Sequence, residues 1–312
     1  MQPKYYAGGM GCRRYFRYGA TMSRSLSAML FMLSTVAALA QPLPAAIVTD
    51  PPPDRIHPPS LQVVHIPSHG LLINGVVYTA AGAGFHPTVV LLHGFPGNEQ
   101  NLDLAQAIRR AGWNVLTLHY RGSWGSPGAF GFAHVFEDAQ AALDFVRAPA
   151  NAAKYAVDTH RLVVIGHSLG GMAAAIVGRD NASLLGVGLI SAADFGAIGG
   201  GAVPGGRDGL TAFMSQSMES LAGTTPAALA DEAMAHAKAW EFVAYAPGLS
   251  KHKLLLVTSD DGLASASDAL ARAVRKQGGK PVTEIHLATD HSYSGTRIAL
   301  EAAVLRWLTS LP

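Results

Sequence analysis

From residue 61 onward, apolar residues fall into two alternating patterns. Short runs suited to strands, "LQVVHI" (61–66), "LLINGVVYTA" (71–80), "TVVLLHG" (88–94), "WNVLTLHY" (113–120), "RLVVIG" (161–166), "LGVGLISA" (185–192), "HKLLLVTS" (252–259) and "VTEIHLA" (282–288), are separated by turns or by amphipathic stretches. The first two are joined by Pro67-Ser68-His69-Gly70 and read as an antiparallel hairpin. Helical spacing follows the later runs over 101–112, 135–147, 171–180, 266–278 and 296–308. In 135–147, for example, positions 135, 136, 139, 142, 143 and 146 are apolar. Near-continuous apolar strands alternating with one-sided helices predict an α/β fold: a mostly parallel eight-stranded sheet with helices on both faces. Ligands of such sheets gather at the C-terminal ends of the strands.

Residues 194–250 break this rhythm and are expected to form a small cap insertion. A glycine-rich stretch, 196–206, precedes "TAFMSQSMESLAG" (211–223), where Met214, Met218 and Leu221 recur at helical spacing. Packing against the domain is the commoner use of such a stripe. At a cap edge, Met214 and Met218 would instead line a substrate site, since thioether side chains adapt to varied apolar shapes.

Gly166-His167-Ser168-Leu169-Gly170 lies between a strand and a helix. G-x-S-x-G in that context reads as a nucleophile elbow, a tight turn that lifts the serine hydroxyl above the sheet edge. A serine hydroxyl needs a neighbouring base, and the base needs a carboxylate to orient it. His291 follows the last strand and is the expected base, whereas His286 lies within that strand. The acid should follow the preceding strand, where Asp260 and Asp261 are adjacent. A Gly-x-x-Asp turn with Thr258 in the glycine's place makes Asp261 the expected acid; a turn shorter by one residue would make it Asp260, the alternative, and Asp194 is a third candidate. An oxyanion formed at Ser168 would be held by the amides of Leu169 and Phe95, the latter in "HGFPGNE" (93–99), with His93 bracing that loop. Arg121 follows the fourth strand and could bind a substrate carboxylate or form a structural ion pair.

The N-terminal region reads differently. "MSRSLSAMLFMLSTVAALAQ" (22–41) has a basic start, an apolar run and Ala38-Leu39-Ala40 before Gln41, the order of a secretory signal peptide. Residues 1–40 are therefore expected to be removed on export to the periplasm or medium, with Met22 an alternative start. The protein then keeps no stable membrane association. Proline-rich residues 41–60 read as an extended linker, which leaves 61–312 as one domain. The leader holds five cations and no acid, so its loss turns a formal charge of +2 into −3 and takes the single cysteine, Cys12, with it. No basic patch for nucleic acid is expected, nor a thiol nucleophile. The thirteen histidines contain no H-E-x-x-H or other close ligand spacing, so no metal and no cofactor are expected.

The series H-G-F-P-G (93–97), R-G-S-x-G-S-P-G (121–128), G-H-S-L-G-G (166–171), D-D-G (260–262) and D-H-S-Y-S (290–294) resembles the α/β-hydrolase fold superfamily across residues 61–312. It is similar to secreted bacterial esterases related to dienelactone hydrolases, and to prolyl-oligopeptidase catalytic domains. That resemblance implies a serine hydrolase with no cofactor acting on a small-molecule ester through an acyl-enzyme. A peptidase or an acyltransferase could use the same residues, and a non-catalytic binding protein could share the fold. There is no room for an oligopeptidase propeller, and Thr258 departs from the usual glycine before the acid.

Overall fold

In the computed structural model, residues 42–312 are described; the signal peptide expected over 1–40 lies outside them. The eight strands are β1 (Ser60–Ser68), β2 (Leu71–Thr79), β3 (His86–Leu92), β4 (Asn114–Leu118), β5 (Val157–His167), β6 (Gly186–Ile190), β7 (Lys253–Thr258) and β8 (Val282–His286). They form one sheet in the order β1-β2-β4-β3-β5-β6-β7-β8. β1 and β2 pair antiparallel, as do β2 and β4, while every pairing from β4 through β3 to β8 is parallel. This is an α/β-hydrolase sheet. Its parallel part is buried on both faces, which is why β3, β6 and β7 read as unbroken apolar runs.

Helices Phe132–Arg147, Leu169–Asp180 and Ala264–Lys276 cover one face. Leu102–Arg110 and Arg297–Thr309 cover the other. Leu102–Arg110 carries Asp103 in its first turn and Arg109 and Arg110 in its last, matching the helix dipole at both ends.

Three local features add to the sequence expectations or depart from them. Residues Pro149–Tyr155 form a helix, entered through a proline at its first position. The linker is also not freely extended. Ala45–Val48 makes one helical turn, Ala46 and Ile47 pack on the core, and the Ala46 carbonyl accepts from Arg110 Nε at 2.5 Å. Four apolar residues after two prolines were enough to dock this piece onto a helix pair.

The third difference lies in the insertion, which holds helices Gly206–Met214 and Pro226–His236. The first stops at Met214, so Met218 and Leu221 do not continue its face. The second starts with Thr225 accepting from the Ala228 amide and Pro226 in its first turn. Glu232 on this helix accepts from the Phe132 and Ala133 amides, each at 2.9 Å, and so caps the domain helix Phe132–Arg147.

Candidate active site

β5 ends at His167 and the next helix begins at Leu169, leaving Ser168 alone in the turn with φ 57° and ψ −120°. A side chain in such a region costs about 1–3 kcal/mol of strain, which the surrounding structure must supply. The glycines flanking Ser168 are required by space. A Cβ at Gly166 would stand 1.9 Å from the Gly170 carbonyl oxygen, and one at Gly170 would stand 2.4 Å from that of Leu92. The turn is tied to the sheet because the Ser168 amide donates to Ile190 O at 2.9 Å. The Leu169 amide opens the helix, a position with no acceptor inside it.

The loop after β3 passes directly over this serine. A Cβ at Gly94 would lie 2.7 Å from Ser168 Cβ, so only a bare backbone fits there. Phe95 follows Gly94 directly in sequence, so its amide is one residue from this close approach to the serine turn. His93 beneath the loop is buried, bonded through Nδ1 to Gly94 O at 2.8 Å, and its carbonyl accepts from Tyr120 Oη at 2.9 Å. Burial pushes its pKa down to about 3, so it is a neutral brace.

His291 Nδ1 donates to Asp261 Oδ2 at 2.7 Å. Burial works against ionisation of the Asp261 carboxyl. The bonds from His291 and the Leu263 amide, with the hydroxyls of Ser191 and Ser259, outweigh it and hold the pKa well below the carboxylate range. A permanent anion at Nδ1 fixes the proton there and leaves Nε2 as the basic nitrogen. No hydrogen bond joins Ser168 Oγ to His291; such contacts often tighten only when substrate is bound. Asp260 instead accepts from His286 Nε2 at 3.1 Å on the exposed side of the strand ends. Asp194 instead caps a short helix by accepting from the Ala197 amide.

Three further candidate substrate contacts are buried or half-buried. Arg121 is buried, with Nε bonded to Asp138 Oδ1 at 2.7 Å and Nη2 to Glu137. Asp138 has no exposure and also accepts from Ser68, so the guanidinium completes a structural network and has no free fork for a substrate. Met214 is fully buried in the core and Met218 half-buried against it, because the insertion folds down onto the domain there. Met214 therefore offers no surface to a substrate.

Other residues at the site carried no sequence signal beyond their place in a motif. His167, one position before Ser168, is 3% exposed and donates from Nε2 to the His291 carbonyl at 2.8 Å, its ring 4.6 Å from the His291 ring. Burial and the adjacent His291 lower its pKa to about 4. Arg297 donates to Ser292 O at 3.0 Å and to Asn101 Oδ1 at 3.0 Å, tying the His291 loop to the segment after β3. Tyr293 Oη bonds Ser191 Oγ at 2.8 Å beneath Asp261. Among the described residues, no group of three or more His, Cys, Asp or Glu is placed to hold a metal ion, and no helix is long and apolar enough to cross a membrane.

Residues 89–301 match the sequence model of the alpha/beta hydrolase family, and the matched span runs from β3 into the helix after His291. The chain belongs to that family. A curated relative, the alpha/beta hydrolase domain-containing protein WAV2 of Arabidopsis thaliana, is 34% identical over 97 residues, covering 30% of this chain and 30% of the relative. The match therefore spans less than a third of that protein's length. Among solved structures, Est1E of Butyrivibrio proteoclasticus, with ferulic acid bound, superposes with a TM-score of 0.64 at 16% identity, covering 80% of this chain and 98% of the other. EstE1, a thermophilic carboxylesterase cloned from a metagenomic library, gives a TM-score of 0.58 at 21% identity, covering 86% and 92%. At these identities the likeness is one of fold. The chain is thus a member of the alpha/beta hydrolase family with esterases among its structural neighbours.

Proposed function

We propose that this hydrolase cleaves carboxylic esters through an acyl-enzyme on Ser168. His291 Nε2 takes the hydroxyl proton as Ser168 Oγ bonds to the ester carbonyl carbon. The amides of Phe95 and Leu169 receive the charge that develops on the carbonyl oxygen. The proton then passes to the leaving alkoxide, and water repeats the sequence to release the acid and free the serine. Asp261 stays ionised throughout and keeps His291 in the required tautomer. The observation that carries this reading is the 2.7 Å bond between His291 and a buried, ionised Asp261, on a loop anchored to the residue before Ser168.

The protein is proposed to act after export, with its leader removed before Gln41 and a formal charge of −3. Ester over peptide cleavage is supported by the esterases among the structural neighbours. The test is labelling with a fluorophosphonate, followed by a panel of p-nitrophenyl esters and a matched peptide anilide, with and without EDTA. Labelling at Ser168 and EDTA-insensitive turnover of short-chain esters are expected. Activity confined to the anilide would move the reading to a peptidase, and absence of labelling would end it. N-terminal sequencing of exported protein checks the leader: residues 1–40 still attached in a membrane fraction would overturn export with cleavage.

A further inference from the structure

Pro96 has no N–H to donate, yet its carbonyl accepts two hydrogen bonds from two other parts of the chain. Trp124 Nε1 donates at 2.9 Å from the loop after β4, and Ser220 Oγ donates at 3.3 Å from the insertion. The carbonyl belongs to the residue after Phe95, whose amide is the second oxyanion donor of the proposed mechanism. Proline fixes its own φ, which removes one of the few torsions between the Pro96 carbonyl and the Phe95 backbone, so a Pro96 carbonyl held in place narrows the ways Phe95 can turn.

Trp124 is unusual in its own right. Its φ of 48° lies in the left-handed region, which a Cβ disfavours, and the residue remains 39% exposed. Core packing does not account for a strained, half-exposed tryptophan. Its only side-chain polar atom is used on Pro96. Gly97 threads between that indole and the His93 ring: a Cβ there would stand 2.4 Å from His93 Nδ1 and 2.9 Å from Trp124 Nε1. The oxyanion loop is thus gripped from below by a neutral histidine and from outside by Trp124.

The grip has a stiff mounting. The Trp124 amide donates to Ser220 O at 2.9 Å, Ala222 to Gly122 O at 2.8 Å, and Phe130 to Ala222 O at 2.9 Å. Ser123 and Leu221 form an antiparallel bridge within this set. Backbone bonds on both sides therefore fix the two donors relative to each other.

We propose that Trp124, assisted by Ser220, is a positioning residue for the oxyanion loop, aiming the Phe95 N–H through the Pro96 carbonyl. The inference rests on the serine-hydrolase reading given above. It makes the insertion a contributor to transition-state stabilisation through one hydroxyl, and places its effect on kcat rather than on substrate affinity.

The experiment uses p-nitrophenyl butyrate turnover and inhibition by an alkyl trifluoromethyl ketone, which adds Ser168 Oγ and places an oxyanion in the hole. Loss of an oxyanion donor outright costs about 100- to 1000-fold in kcat. Trp124→Phe, which keeps a ring but loses the N–H, should lower kcat by about 10- to 100-fold, misaiming the donor without deleting it. KM should stay within about twofold, and the inhibitor Ki should rise by the same factor as kcat falls. Ser220→Ala should show the same split on a smaller scale, and Ser220→Thr, which retains the hydroxyl, should restore it. Should Trp124→Phe not fold, the Ser220 pair decides alone. Wild-type kcat and Ki in Trp124→Phe and Ser220→Ala, or kcat and KM worsening together with a lowered thermal midpoint, overturns the inference. A wild-type enzyme with no esterase activity and no serine labelling fails the underlying reading instead, so the two failures are distinct.

Discussion

Asp260 and Asp261 are adjacent, each accepts a hydrogen bond from a histidine, and they sit in opposite physical worlds. The Asp261 side chain is 5% exposed and meets His291 at 2.7 Å, with the Leu263 amide on its other oxygen. The Asp260 side chain is 63% exposed and meets His286, itself half exposed, at 3.1 Å. An exposed pair is screened by water and contributes about 0–1 kcal/mol. A carboxylate surrounded by donors stays ionised against burial, and its field acts on one imidazole with little screening. Residue type and sequence position are nearly the same; orientation at the end of β7 separates a structural ornament of the surface from a group that can set a tautomer.

The sharpest way to break this contrast is to remove the groups that Asp261 is proposed to serve. Ser168→Ala and His291→Ala should each lower kcat by about 10⁴- to 10⁶-fold, because nucleophile and base act as a unit. Steady-state assays on a short-chain ester read this directly, and a tenth of normal activity in either variant would be incompatible with the assignment. Asp261→Asn comes next. The amide keeps the shape of the carboxylate but can present its NH₂ to Nδ1, favouring the wrong tautomer, and should cost about 10³- to 10⁴-fold in kcat.

Much of this arrangement was legible in the sequence. The eight strands were visible because parallel strands buried on both faces need no polar alternation, and Ser168 because a turn this tight admits only glycine two residues to either side. His291 followed from its place after the last strand. The acid was legible as Asp261 with Asp260 left as an alternative, since the course of the turn after Thr258 depends on which carboxylate finds Ser191, Ser259 and Leu263 beneath it. Arg121 was ambiguous because nothing in the sequence announces its partner Asp138, nearly two turns into the next helix. The stripe of Met214, Met218 and Leu221 suggested a longer helix than forms, and its spacing could not say which face would be buried. Trp124 stood in a glycine-rich loop with no periodicity to mark its partner.

Two further histidines extend the contrast to stability. His93 and His167 are buried, and their pKa values fall from the ordinary 6.5 to about 3 and about 4. His119 faces the first; His291, Arg297 and Asp261 face the second. Both rings stay neutral in the fold but become charged in the unfolded chain below pH 6.5, so the unfolded state then binds more protons. Their cost is absent well above pH 6.5 and grows as pH falls from there towards 4, each adding up to about 1.4 kcal/mol per pH unit to the loss of stability. Asp261 acts lower, its depressed pKa supplying stability above its ordinary 3.8 that is lost as pH falls below that value. Urea unfolding at pH 7, 6 and 5 should give a shallower decline in His167→Gln than in wild type. Parallel declines would show that His167 titrates alike in both states.

The smallest expected effect is the most diagnostic for the pair itself. Asp260→Asn removes a charge one residue from the proposed acid, so any general influence of negative charge near His291 should appear in this variant too. Its partner His286 points along the strand end, bonded on its other nitrogen to Thr258 Oγ1 at 3.0 Å, and neither group contacts His291. Solvent screens the pair, and an exposed substitution of this kind shifts stability by about 0.5 kcal/mol or less. Activity should remain within about twofold of wild type, because long-range fields between exposed charges fade over about 10 Å at ordinary salt. His286→Gln should match it, and the double variant should be no worse than either alone, since the two residues share one contact. Measuring kcat/KM at low and high salt separates the remaining possibilities. A deficit that vanishes with salt is a diffuse charge effect and leaves Asp261 in its role, whereas a salt-independent loss comparable with Asp261→Asn would mean that the loop rearranges on binding substrate and brings Asp260 to His291.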